Sequence, residues 1–320
     1  MRHPAPPRHR PPFRLFVLLA ALALALPVAA RGEIVDHRAV AGVATLPQEV
    51  MDAIGTQRWL FTHASVGQNM ASGLYLLNDL DPDRYQLQRS WVDFDTANQR
   101  AEDPPASPVP GTVYQCYRGN PGWEQKFAIF DNSVRAGGWH DPQIDAVLDK
   151  LCYIDDDADP EDYLGMMLAL RTSYPRTYVI YATIPLTTGS DSANIRRNAY
   201  NELVRAACAS GGGVLYGNAH IEAPDPPRNG DTLSPGRPWP GRPPPADQHD
   251  PAGNEHTFSS GGRVYQRLYD GYTGDGGHLN NLGAMQVARG WYAVAALLTR
   301  GPLFSDGFEG GGTIFWLATP

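Results

Sequence analysis

Two short segments carry residues whose types and spacing could do chemistry together: His63-Ala-Ser-Val-Gly67 and Asp275-Gly-Gly-His-Leu-Asn280. An Asp three residues before a His can fold back within one turn and accept a hydrogen bond from the imidazole Nδ1. That bond fixes the tautomer and leaves Nε2 free to take a proton from a serine hydroxyl. Gly276 and Gly277 permit the backbone angles of so tight a turn. Serine alone is a poor nucleophile, so Ser65 becomes useful only with a base in reach and N–H donors placed where an oxyanion forms. Plainer roles compete: a helix N-cap for Ser65, a capping or core position for His278, a turn residue for Asp275.

The elements that would position these residues alternate between strand and helix. Residues 58–62 read as a short strand, and 68–77 as a helix with apolar residues at helical spacing, so Ser65 sits on a strand-to-helix turn. Such a turn exposes a hydroxyl above the carboxyl edge of a sheet, with helix N–H groups facing developing negative charge. His63 projects to the same side as Ser65 if the strand continues, either lining a pocket or packing there. Residues 85–92 alternate like a second strand, 103–110 is a Pro-rich loop, and 151–155 reads as a buried strand. Asp159-Pro-Glu-Asp162 supplies an N-cap, a proline at N1 and two first-turn acids for a helix running to about Ser173. Residues 177–186 give the strongest strand signal, followed by a helix over 192–209 and a strand over 213–219. A closing helix over 282–298 is capped by Asn280 or Asn281. Successive β-α-β units predict an α/β fold: a three-layer α/β/α sandwich with a mostly parallel central sheet.

A length of 320 residues and 42% hydrophobic content allow a sizeable core. Arg2, Arg8, Arg10 and Arg14 precede an apolar run ending in Val28-Ala-Ala30, which predicts residues 1–30 as a signal peptide cleaved after Ala30. The run is shorter than the ~20 residues that span a bilayer. The expected destination is therefore secreted, periplasmic or cell-envelope, with no stable membrane span after cleavage. Cleavage takes Lys plus Arg from 26 to 22 against 34 acids and the net charge from −8 to −12, a balance unsuited to nucleic acid. Cys116, Cys152 and Cys208 are too few for a disulfide scaffold; a Cys116–Cys152 bridge is the favoured pairing, three free thiols the alternative.

The organisation expected is thus 1–30 as leader, 31–302 as one domain, and 303–320 as a tail. A Pro/Gly-rich insertion at about 222–262 is a lid or a disordered segment. His249, His256, Asp247, Asp250 and Glu255 within it invite a metal site, but their spacing matches no familiar zinc pattern, so no metal is expected. The tail, with its Asp306-Gly-Phe-Glu309 and Trp316, resembles a short motif at the ends of many exported proteobacterial proteins; an edge strand is the alternative.

Taken in order, His63-Ala-Ser-Val-Gly67, Lys150-Leu-Cys-Tyr-Ile-Asp155, Thr183-Ile-Pro-Leu-Thr187, Asn194 to Asn201 and Asp275-Gly-Gly-His-Leu-Asn280 resemble the SGNH/GDSL hydrolase superfamily, in a branch whose first block reads His-x-Ser-Val-Gly. The resemblance covers most of residues 55–299. It implies a secreted serine esterase with Ser65 as nucleophile, His278 as base and Asp275 orienting it, with no cofactor. It also implies an oxyanion hole from the Ser65 amide, a glycine amide matched to Gly119 with Asn120 beside it, and an asparagine of a third block. No Gly-x-Asn-Asp sequence is present; Cys152-Tyr-Ile-Asp155 stands there instead. An ionised Asp155 would repel an oxyanion, so it helps only by orienting another donor or by being protonated. The implied substrate is a small-molecule or glycan ester, with Trp91, Trp123, Trp139 and Tyr117 as candidates to stack on sugar rings. A catalytically idle surface binding protein on the same fold, or a glycan O-acyltransferase, is the alternative.

Overall fold

The computed structural model describes residues 32–226 and 253–299. The leader, the tail, most of the insertion and His249 with Asp247 and Asp250 lie outside the described residues. Seven strands form one sheet: β1 (Glu33–Val35), β2 (Arg58–His63), β3 (Gln88–Val92), β4 (Thr112–Tyr117), β5 (Ala146–Asp149), β6 (Tyr178–Ala182) and β7 (Val214–Tyr216). Their order is β1-β7-β6-β5-β2-β4-β3, and every neighbouring pair is parallel. The helices are α1 (His37–Ala41), α2 (Gln48–Ile54), α3 (Val66–Leu80), α4 (Trp123–Arg135), α5 (Pro160–Ser173), α6 (Ser192–Gly211), α7 (Asn218–Glu222) and α8 (Asn281–Leu298). None of them is long and apolar enough to cross a membrane.

Strand alternation divides the core in two. On β2, Trp59 and Phe61 face α3, α7 and α8, whereas Leu60 faces α4, α5 and α6. The same two-residue alternation runs through β5, β6 and β7, so the fold is a three-layer α/β/α sandwich. Strands buried on both faces read as continuous apolar runs. Helix α8 is apolar on all sides because α1, α2, α3, α7 and the sheet surround it. Gly73 lets α3 approach it closely, since a Cβ there would collide with the Ala284 carbonyl.

Helix ends follow the sequence closely. Asp159 accepts from the Glu161 and Asp162 amides with Pro160 at N1, and Asn280, not Asn281, caps α8 through the Leu282 and Gly283 amides. The expected strand at 151–155 is absent. The strand is β5, which stops at Asp149; beyond it the chain turns, with Asp155 accepting from the Cys152 amide at 2.7 Å. At the end of the expected insertion the described residues form an antiparallel pair, β8 (Thr257–Ser260) inside it and β9 (Arg263–Gln266) just beyond its boundary.

Candidate active site

Adjacent strands β4, β2 and β5 all end on the same sheet edge, with His63 opposite Tyr117 and Thr62 opposite Asp149. Ser65 follows β2 at the start of α3 with φ 51° and ψ −115°, a positive φ that a non-glycine residue adopts only under strain. Its hydroxyl does not cap the helix. Instead Ser65 Oγ lies 2.6 Å from His278 Nε2, and His278 Nδ1 lies 2.7 Å from Asp275 Oδ2.

The loop that carries His278 is built locally. Asp275 Oδ1 accepts from the Gly277 amide at 3.0 Å, the His278 amide at 2.8 Å and Thr273 Oγ1 at 3.2 Å. These amide bonds, led by Gly277, and the His278 ring hold the Asp275 carboxyl well below the usual carboxylate range. Both side chains stay open to solvent, Asp275 59% and His278 44% exposed. Longer-range ties fix the loop: Leu279 donates to Asn69 Oδ1 on α3 at 3.2 Å, and the Gly276 carbonyl accepts from the Thr188 amide at 3.0 Å. Tyr153 packs edge-on to His278 with ring centroids 5.6 Å apart, and Gly277 is the residue that leaves it room.

The opposite wall is buried and ionic. Arg118, just past β4, binds Asp149 at the end of β5 through Nε at 2.9 Å and Nη2 at 3.1 Å, and donates to the Lys150 carbonyl at 2.9 Å. Thr62 Oγ1 completes the cluster at 2.5 Å from Asp149. Arg118 thereby joins the loops after β4 and β5 beneath the site. Gly119 turns the chain with φ 74° into the exposed Asn120, and Cys152 is buried in the turn that Asp155 orders.

Several expectations are corrected. Asp155 makes no contact with Ser65: it is buried, paired with Lys126 Nζ at 2.6 Å, and orders the turn that carries Cys152. His63 does not line the pocket. It is fully buried beneath Gly67, stacked on Phe61 at 4.7 Å and edge-on to Tyr117 at 5.9 Å. Burial, with the charges of Lys150 and Arg118, pushes its pKa down to about 3. Trp139 cannot stack on a ligand, because it is buried and its Nε1 donates to the Glu102 carbonyl at 2.7 Å. The favoured disulfide does not form. All three thiols are free and buried, with Cys116 directed to the Asp93 carbonyl.

Sequence reading passed over Arg118, Asn69 and Tyr153 as site residues. A lone Arg beside a glycine carries no local signature; only the pairing of β2 with both β4 and β5 brings it to Asp149.

No protein-family model and no curated protein matches the chain. Among solved structures, one described as a candidate platelet activating factor from Streptococcus pneumonia is similar at 11% identity and TM-score 0.40, over 88% of this chain and 99% of that one. A salicylyl-acyltransferase from a tetracycline biosynthetic pathway is similar at 11% identity and TM-score 0.32, over 77% of this chain and 56% of that one. Likeness this loose carries no argument about activity.

Proposed function

We propose that the protein is a serine hydrolase of the SGNH/GDSL type that cleaves an ester. The carrying observation is the short path from Ser65 Oγ through His278 to Asp275, 2.6 Å and then 2.7 Å. In the reaction His278 Nε2 takes the Ser65 proton as Oγ attacks the ester carbonyl, and returns it to the departing alcohol. Water, deprotonated in turn by His278, then releases the acid from acyl-Ser65. Asp275, ionised by its amide donors, stabilises the imidazolium and fixes its orientation. In this reading the Ser65 and Gly119 amides and the Asn120 side chain donate to the oxyanion.

The strained backbone of Ser65 supports a working nucleophile over an idle relic, since a fold retains such strain where function uses it. The openness of His278 to solvent favours water over a second sugar as acyl acceptor. An acylated carbohydrate is the substrate class best matched by Trp91 and Tyr117, which lie on one sheet face and are 59% and 49% exposed. The leader over 1–30 makes the site one that works outside the cytoplasm.

The test is Ser65→Ala in the purified protein. Hydrolysis of p-nitrophenyl acetate is expected to fall by at least ~10⁴-fold, and labelling by a fluorophosphonate to vanish. Full residual hydrolysis in that variant defeats the reading.

A further inference from the structure

The backbone around His278 is held on both sides. Asp275 Oδ1 accepts from the His278 amide at 2.8 Å, and Asn69 Oδ1 accepts from the Leu279 amide at 3.2 Å. The ring is held at its Nδ1 corner by Asp275 Oδ2 at 2.7 Å, but that partner is itself exposed, and a 44% exposed side chain has other staggered rotamers open to it. Tyr153 borders the ring itself, with centroids 5.6 Å apart and an angle of 78° between the two planes.

Tyr153 is fixed by ties that lead away from the site. It lies in the loop after β5, where Arg197 of α6 donates through Nε to the Tyr153 carbonyl at 2.6 Å and sets its guanidinium carbon 6.0 Å from the centre of the Tyr153 ring. Arg197 is buried and donates in turn to Asn194 Oδ1 at 2.6 Å and Thr187 Oγ1 at 3.2 Å. Against the base loop the fit is close. A Cβ on Gly277 would stand 2.8 Å from Tyr153 Cε1 and 3.0 Å from Cζ, so the loop has no side chain where the ring lies. The ring thus spans from α6 to the loop that carries the base.

We propose that Tyr153 is a positioning residue for the base: its ring, backed by Arg197, keeps the His278 imidazole in the rotamer that brings Nε2 to Ser65 Oγ. This rests on the reading of Ser65 as nucleophile and His278 as its base. Asp275 selects the tautomer, yet a single hydrogen bond at one corner leaves the ring plane free to swing about it. An aromatic ring packed edge-on adds a second point of restraint, worth about 2- to 12-fold in the population of one arrangement. Proton transfer draws on the 2.6 Å approach of Nε2 to Oγ, and reaction falls steeply when such a pair is misaligned. Population lost from that rotamer is therefore lost from the chemical step, not from substrate binding.

The experiment measures p-nitrophenyl acetate hydrolysis and the rate of fluorophosphonate labelling by the full chain, in wild type, Tyr153→Ala, Tyr153→Phe, Gly277→Ala and the Tyr153→Ala/Gly277→Ala double variant. Tyr153→Ala is expected to lower kcat and the labelling rate about tenfold with KM nearly unchanged, and Tyr153→Phe, which keeps the ring, to recover most of both. Gly277→Ala, whose Cβ displaces the ring, is expected to slow labelling alone and to cost little more once Tyr153 is replaced by alanine. Wild-type labelling by Tyr153→Ala, a raised KM at unchanged kcat, a loss in Tyr153→Phe equal to that in Tyr153→Ala, or full additivity of the two substitutions overturns the proposal, while labelling that is lost in Ser65→Ala leaves the Ser65 reading standing. A wild type that neither labels nor hydrolyses overturns both. Should Tyr153→Ala not fold, Gly277→Ala decides: labelling at the wild-type rate overturns the proposal.

Discussion

Ser65 lies between two walls made in opposite ways. The base loop, from Thr273 to Asn280, is short-range and open to water: Asp275 binds the amides two and three residues ahead and the ring of the same turn. The far wall, from Tyr117 to Asn120 and Asp149 to Asp155, exposes Tyr117, Asn120 and Ile154 but is long-range, pinned from beneath by the buried Arg118–Asp149 and Lys126–Asp155 ion pairs. A local turn orients the His278 ring, and the long-range ties from Leu279 to Asn69 and from Thr188 to Gly276 only anchor its edges. The far wall is assembled from the loops after two separate strands, and buried ion pairs hold them together.

The sharpest way to break this contrast is Asp275→Asn. It is expected to cost ~10⁴-fold in kcat on p-nitrophenyl acetate while leaving thermal stability close to wild type, because the loop is exposed and its loss exposes no buried charge. A large drop in melting temperature with it would show that the base loop is structural after all. Arg118→Ala should do the reverse on the stability axis. It strands Asp149 as an unpaired buried charge, a change of about 3–5 kcal/mol in urea unfolding. Unfolding unchanged by Arg118→Ala would remove the ion pair as the support of the far wall.

Acid should loosen the buried side before it reaches the base loop. Burial holds His63 at about 3, and burial with Arg205 holds His220 at about 4, both below the ordinary 6.5. The unfolded chain therefore binds these protons first as pH falls. The stability the two neutral rings contribute is full above pH 6.5 and is lost toward pH 4, at about 1.4 kcal/mol per pH unit for each ring. Urea midpoints should shift accordingly, and less in His63→Gln; a flat profile over that window would contradict it. The smallest effect concerns the rim. Trp91→Ala is expected to raise KM for an acetylated oligosaccharide by about tenfold, roughly 1.4 kcal/mol, and to leave p-nitrophenyl acetate unaffected. Equal effects on both esters would move Trp91 out of the sugar-binding role.

Much of the scaffold was legible along the chain because its signals are local. The Asp159-Pro-Glu-Asp162 start of α5, the β-branched and aromatic run of β6 and the Asn280 cap of α8 each depend on neighbours a few residues away. The strand expected at 151–155 failed for a physical reason. Ala146 to Ile154 is a nearly continuous apolar run broken by Asp149 and Lys150, and adjacent charges read as the start of a buried strand, not its end. In the folded protein Asp149 is tolerated inside because Arg118 and Thr62, distant in sequence, satisfy it. Strand β4, with Thr112, Val113, Tyr114 and Tyr117 between Pro110-Gly111 and Gly119, carries a signal of the same kind that the sequence reading passed over, and with it Arg118 went unrecognised.

The amino-acid sequence by itself determined the alternation of strands and helices and the Asp275–His278 pair, since both rest on bonds and periodicities within a few residues. Only the tertiary structure decided which serine contact His278 makes, that His63 is buried packing, that Asp155 serves Lys126 and the Cys152 turn, and that all three cysteines stay free and buried. Those outcomes depend on which parallel strands lie side by side and in what register, and no local pattern encodes that neighbourhood.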